Sequence, residues 1–235
     1  MEGLIIIFII IGALVALFSK WVSSPRQKGL WGEQIVHNRL KRSLDASQYT
    51  VLHDVTLNTR RGTAQIDHIV VSLFGIFVIE TKNMSGWIFG SEFDPQWTQA
   101  FRRKKLRFQN PLRQNHAHVK ALEELLGMDP SKFHSMVVFA GEAEFKTQLP
   151  VNVMRLGGML PHIQSKTSQE LNVVQVKNIA NCIESSRLTP GAETDALHIQ
   201  SLTAKRNPVT GAIDDARGLV SQGIQTLGMV KLAAK

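Results

Sequence analysis

Residues Gln65–Asn83, QIDHIVVSLFGIFVIETKN, leave the chain little conformational choice. Ile66, Ile69, Val70 and Val71, followed by Ile76, Phe77, Val78 and Ile79, form β-branched or aromatic runs on either side of Ser72-Leu73-Phe74-Gly75, a Ser-x-x-Gly turn signal. They predict two antiparallel strands folded back on each other and buried on both faces for most of their length. Against that background Asp67, Glu80 and Lys82 stand out. An ionisable side chain in a buried strand costs several kcal/mol unless it is paired, hydrogen-bonded or bound to a cation. With Leu73 and Phe74 at the turn centre, Asp67 lies opposite Glu80, and Lys82, two residues on, points to the same face. A loop shifted by one residue at each side pairs Asp67 with Lys82 instead and still keeps the three together.

Directly opposed side chains have Cβ atoms about 5 Å apart, near enough for two carboxylates to share one cation. Like charges at that distance repel, so the pair either holds a proton between its members or is neutralised from outside. A hard cation with oxygen ligands, Mg²⁺ or Mn²⁺, fits carboxylates with no cysteine nearby, with Asp67 and Glu80 as the metal ligands. Lys82 then stands at the attacking water, positioning it or helping to remove its proton. The spacing equally permits an internal Asp–Lys salt bridge with Glu80 solvated at a strand end.

The Asp67…Glu80-Thr81-Lys82 spacing resembles the PD-(D/E)XK nuclease superfamily, and its context resembles the nuclease-related domain, NERD. The matching pieces are Gly29-Leu30-Trp31-Gly32-Glu33, Gln65–Val71, Gly75–Asn83, Gly86-Trp87-Ile88-Phe89-Gly90, Trp97-Thr98-Gln99 and Asn110–Asn115, within residues 29–155. Ile66 stands where the superfamily often has proline. The resemblance implies an α/β, restriction-endonuclease-like core: a helix, an antiparallel hairpin, then a crossing helix and strands. It also implies that Glu33 joins the site from the first helix and that Gln99 corresponds to a helix-borne glutamine supporting it. From the residues alone, Glu33 also reads as a solvated helix-start carboxylate and Gln99 as a surface glutamine.

Ahead of this domain, Leu4–Phe18 has no polar side chain, and Gly3 through Val22 forms a helix about 30 Å long, enough to cross a bilayer. Glu2 precedes the apolar run, whereas Lys20, Arg26 and Lys28 follow it. The positive-inside rule then puts the N-terminus outside and the domain in the cytoplasm, on the inner face of a cell membrane. The expected organisation is a transmembrane anchor at 1–22, a linker at 23–28, the nuclease-like domain at 29–190 and a tail of undecided order at 191–235. Leu30, Trp31, Ile35, Val36 and Leu40 mark the apolar face of a helix from about Lys28 to Leu44. Tyr49–Leu57, Met136–Ala140 and Val151–Leu156 read as strands, and Ser168–Ser186 as a closing helix with Cys182 in its core.

Arg102, Arg103, Lys104, Lys105 and Arg107 put five basic residues in six positions. Just after a site for phosphodiesters, such a run would neutralise substrate phosphates, although a tethered basic patch also meets anionic lipid. Asn110-Pro111 starts a helix ending at Gly127, on which Asn110, Gln114 and His118 recur every four residues. That stripe either orients substrate or serves as hydrogen-bonding struts. The formal net charge of +8 favours an anionic partner, and the single Cys182 excludes an internal disulfide framework. The expected activity is that of a membrane-anchored, Mg²⁺-dependent nuclease, with DNA ahead of RNA as substrate and the bilayer contacted through residues 3–22. A tethered nucleic-acid-binding module without turnover and a lipid-contacting scaffold are the alternatives. No protein partner is suggested.

Overall fold

In this computed structural model the described residues are 11, 24–60 and 62–206. The expected span at 3–22, Ile11 apart, and the final stretch 207–235 lie outside them. Among the described residues no helix is long and apolar enough to cross a membrane.

Helix α1, Pro25–Ser43, starts where Ser24 accepts a hydrogen bond from the Gln27 amide and Pro25 supplies a preset φ. Its packed stripe is Gly32, Val36 and Leu40, continued by Leu44 beyond the helix end. Leu30, Trp31 and Ile35, expected on that stripe, are exposed instead. Gly32 sets the rotation: a Cβ there would lie 2.5 Å from Asn83 Cβ, so the bare backbone is what turns inward. Asn83 Nδ2 also donates to the Lys28 carbonyl at 2.6 Å, fastening the helix to the chain just beyond the hairpin.

The strands β1 (Tyr49–Thr59), β2 (Gly62–Ser72) and β3 (Gly75–Lys82) are followed by a small set, β4 (Gly86–Phe89), β5 (Gln96–Ala100) and β6 (Lys105–Gln109). Helix α2 (Pro111–Leu126) precedes β7 (Phe133–Phe139), β8 (Ala143–Phe145) and β9 (Val153–Arg155). Helices α3 (Leu156–Gln164), α4 (Val173–Ser186) and α5 (Ala192–Arg206) complete the described chain. One sheet has the order β1-β2-β3-β7-β9 and the other β6-β5-β4-β8. The β2–β3 register, Ser72 with Gly75 through His68 with Ile79, is that of a turn centred on Leu73 and Phe74. β7 runs parallel to β3, and α2 makes the crossover between them.

Side-chain alternation divides the larger sheet into two packed faces. Phe77, Ile79, Met136 and Val138 meet Val36 and Leu40 of α1 and Met159 and Ile163 of α3. Val137 and Phe139 meet Ile88, Trp97 and Ala143 of the smaller sheet. Each such aliphatic side chain, fully removed from water, contributes about 1.5–3 kcal/mol. Helix α2 begins at a capping Asn110 and ends on Gly127, whose φ of +58° supplies the left-handed stop. The closing helix is shorter than the sequence suggests, and Cys182 is only half-buried there beside the buried Ile179 and Ile183.

Among the described residues these elements belong to a compact unit of 24–55 and 65–187, the other unit being 56–60 and 62–64 with 188–206. Within the second unit, Leu188 N–H donates to the Thr56 carbonyl at 2.8 Å and Thr63 N–H to Ser201 Oγ at 3.0 Å. Helix α5 therefore gives structure to part of the stretch read as a tail.

Gly32→Ala is expected to lower unfolding stability by about 1–3 kcal/mol, the usual cost of overpacking a close approach. Urea denaturation of the variant beside an exposed control on the same helix, Gln34→Ala, measures it.

Candidate active site

The end of β3 is where the apolar hairpin turns polar. Glu80 is buried, with 1% of its surface exposed. Its Oε1 accepts from Lys82 Nζ at 2.5 Å, and Oε2 lies 3.4 Å from His118 Nδ1 on α2. Lys82 Nζ donates a second bond, to Gln114 Oε1 at 3.1 Å. Asp67 Oδ2 accepts the Thr81 backbone N–H at 2.7 Å, which holds the carboxylate beside the strand end. The hairpin thus turns Glu80 and Lys82 toward α2 and holds Asp67 beside the same strand end.

Glu33 approaches from α1. Burial raises its carboxyl pKa above the ordinary value, and the negative charges of Asp54 and Glu80 add to the rise while Lys82 opposes it. Asp67 is pushed well up, first by burial and then by Glu80 and Glu33, against the pull of Lys82 and the Thr81 amide. Lys82 feels burial as a downward force, yet Glu80, Asp67 and Glu33 outweigh it and hold its pKa above the ordinary lysine value. The cluster therefore favours the charged lysine and disfavours the charged forms of Glu33 and Asp67.

Two groups that the sequence did not single out shape the site. Asp54, on β1, has φ of +49°, a left-handed conformation Asp tolerates better than most residues. Gln65 Nε2 donates to its Oδ1 at 2.8 Å, and its charge acts on Glu33. The signal available for it was slight: an aspartate interrupting an alternating strand. Asn115 is fully buried on α2, and its Nδ2 reaches Val78 O at 2.8 Å, Ser135 Oγ at 2.9 Å and Met136 O at 3.0 Å. It joins the helix bearing Gln114 and His118 to both β3 and β7. His68 is buried with its pKa pushed down to about 3, first by burial and then by His37 and His53, so it is neutral. Its Nδ1 lies 3.4 Å from Thr81 Oγ1, tying β2 to β3.

The remaining expected residues separate into different roles. Gln99 lies on strand β5, where its Nε2 donates to the Ser85 carbonyl at 2.8 Å. Strand pairing on both sides of β5 overrides the helical position implied for it, and Gln114 is the helix-borne glutamine on the site lysine. Asn110 is fully buried, its Oδ1 capping Leu112 N–H and its Nδ2 donating to the carbonyls of Ser91, Glu92 and Asp94. Its polar atoms are spent inside the protein, which makes it a strut and not a contact for nucleic acid. Gln114 and His118, from the same stripe, face Lys82 and Glu80. Arg102, Arg103, Lys104, Lys105 and Arg107 are exposed on the β5–β6 hairpin, closed by Phe101 N–H donating to Lys104 O at 2.7 Å.

The hard oxygens of Asp67 and Glu80 suit a divalent cation, and Glu80 Oε2 is buried with no hydrogen-bond partner. Among the described residues no three His, Cys, Asp or Glu side chains are grouped to hold a metal by themselves.

The family model of the nuclease-related domain matches residues 28–140, which contain all of these groups. A Bacillus anthracis protein described as uncharacterised is 39% identical over 211 residues, covering 88% of this chain and 90% of that one. The chain belongs to the nuclease-related domain family. No solved structure matches it.

Asn115→Leu is expected to leave the Val78 and Met136 carbonyls without their donor and to lower stability by roughly 1–3 kcal/mol. Thermal or urea unfolding checks this, and Asn115→Asp should lose stability as well, since the donor is what the carbonyls need.

Proposed function

We propose that this protein is a membrane-anchored, divalent-cation-dependent nuclease that hydrolyses phosphodiester bonds in DNA or RNA. The observation that carries the reading is the meeting of Asp67, Glu80 and Lys82 at one strand end, inside a nuclease-related domain. Asp67 and Glu80 would hold Mg²⁺ or Mn²⁺, which when bound supplies Lewis-acid stabilisation at a phosphate oxygen. Lys82, kept protonated by its neighbours, acts as a fixed positive charge toward the phosphate and the attacking water rather than as the base that takes the water's proton. Gln114 holds the ammonium from the side of α2, and Asn115 keeps that helix in place. Glu33, with its raised pKa, is the carboxyl best suited to exchange a proton with the attacking or leaving oxygen.

A second reading, a tethered module that binds nucleic acid without turnover, has one observation in its favour: Lys82 already neutralises Glu80 from within the fold. The two differ in what a cation does. The full-length chain should cleave single- or double-stranded DNA or RNA with Mg²⁺ or Mn²⁺ and lose that activity on chelation. Glu80→Gln should lose both cation affinity and cleavage, because the amide keeps the shape but removes the charge. Lys82→Ala should keep cation affinity while cleavage falls by about two orders of magnitude or more, the scale of one positioned catalytic group. Nucleic-acid binding without cleavage under either cation would establish the binding module instead.

The apolar run at Leu4–Phe18 and the basic residues after it support a cytoplasmic domain on an N-terminal anchor. A reporter enzyme fused to the C-terminus should be active on the cytoplasmic side, whereas export of the reporter contradicts this orientation.

A further inference from the structure

On the smaller sheet Ile88 and Trp97 pack into the core, while the opposite side carries exposed side chains on β4 and β6 and the buried Ala100 of β5 between them. On β4, Ile88 is buried while Trp87 and Phe89 remain 43% and 38% exposed, so both rings leave the same outer side. The registers carry that side across the next strands: Phe89 pairs with Thr98 and Thr98 with Arg107, and Trp87 pairs with Ala100 and Ala100 with Lys105. Each ring therefore stands in a row that ends in a cation two strands away, about 10 Å. The hairpin carrying those cations also displays Arg102, Arg103 and Lys104. On the other flank, Trp87 Nε1 donates to Glu144 Oε2 at 3.0 Å, and Lys146 pairs with Glu144 while its Nζ lies 5.3 Å from the Trp87 ring centroid. The Glu144 charge is thus met locally, and the face keeps its positive character toward β6.

Two exposed aromatic rings backed by a row of cations fit bases with their phosphates, not an apolar partner. Residues two apart on a strand are separated by about 6.7 Å. Bases stacked in a duplex lie about 3.4 Å apart along each strand, so the two rings match bases that have been splayed from one another. From these rows we infer that the outer face of the smaller sheet binds unpaired nucleic acid, stacking successive bases on Trp87 and Phe89 while Lys105 and Arg107 meet the phosphates. The inference rests on the nuclease reading for its direction and deepens it by naming single-stranded polynucleotide as the substrate class. Trp87 follows Lys82 by five residues, at most about 17 Å of chain, so a strand held on the platform is within a few nucleotides of the site.

The test is equilibrium binding of the full-length chain in a chelating buffer, which removes cleavage from the readout. The probes are labelled oligothymidylate, an abasic strand with the same number of phosphates, and a hairpin duplex of equal charge. Oligothymidylate should bind at least roughly fivefold tighter than the abasic strand, the lower end of what one stacked base contributes. It should also bind tighter than the duplex. Trp87→Ala and Phe89→Ala should each lose that advantage while leaving abasic binding unchanged, and Trp87→Phe should retain most of it. Lys105→Gln with Arg107→Gln should weaken all three probes and flatten the salt dependence. Equal affinity for thymidylate and abasic strands, a parallel loss of both in Trp87→Ala, or preference for the duplex would each overturn the inference. Thymidylate selectivity in a chain that cleaves nothing when Mg²⁺ or Mn²⁺ is restored would leave the platform standing and remove the nuclease reading.

Discussion

The Lys82 ammonium stands between Glu80 and Gln114 at the end of a strand whose other residues are apolar, with Asp67 and Glu33 acting on it from nearby. Burial alone would favour the neutral amine, and burial alone would favour protonated carboxyls. Together the groups resolve the conflict unevenly: the lysine keeps its charge, while the Glu33 and Asp67 pKa values are driven upward. The strand end therefore gathers three carboxyl groups round a single ammonium, and burial with mutual repulsion disfavours the charged forms of Glu33 and Asp67. A divalent cation at this end would favour the charged carboxylates again, and the proposed chemistry uses that coupling.

The scaffold keeps these groups from relaxing apart. Asn115 ties α2 to two neighbouring strands, so Gln114 and His118 cannot withdraw from Lys82 and Glu80 without breaking buried hydrogen bonds. On the opposite side, Gly32 lets α1 approach Asn83, whose amide donates to the Lys28 carbonyl. Both helices that contribute to the site are thus held by polar contacts near the site itself, with the apolar core supplying most of the gross stabilisation. A buried polar network of this kind is costly when incomplete, which favours keeping its members together.

The hairpin was legible because β-branched and aromatic runs, a turn signal and three misplaced charges coincide within nineteen residues, Gln65–Asn83. Helix α2 was legible at both ends, from Asn110-Pro111 and Gly127. The rotation of α1 was not, since Leu30, Trp31 and Ile35 offered a plausible apolar face and only the partner of Gly32 decides against it. Gln99 was misplaced because a strand of five residues between two others carries a weak local signal. The polar stripe on α2 split for a reason spacing does not contain: Asn110 faces loop carbonyls, whereas Gln114 and His118 face the charged strand end. Asp54 and Asn115 depend on contacts between segments far apart in sequence, where no local pattern points to them.

If the carboxyl cluster at the end of β3 is a cation site, a crystal of the protein grown with Mn²⁺ should show where the cation goes. Anomalous scattering should give a manganese peak bonded to both Asp67 and Glu80, with Lys82 displaced from Glu80 Oε1 toward the space a phosphate would occupy. A manganese peak elsewhere, or none at saturating concentration with the Lys82–Glu80 pair intact, would contradict the central claim that these carboxylates are arranged to hold a catalytic cation.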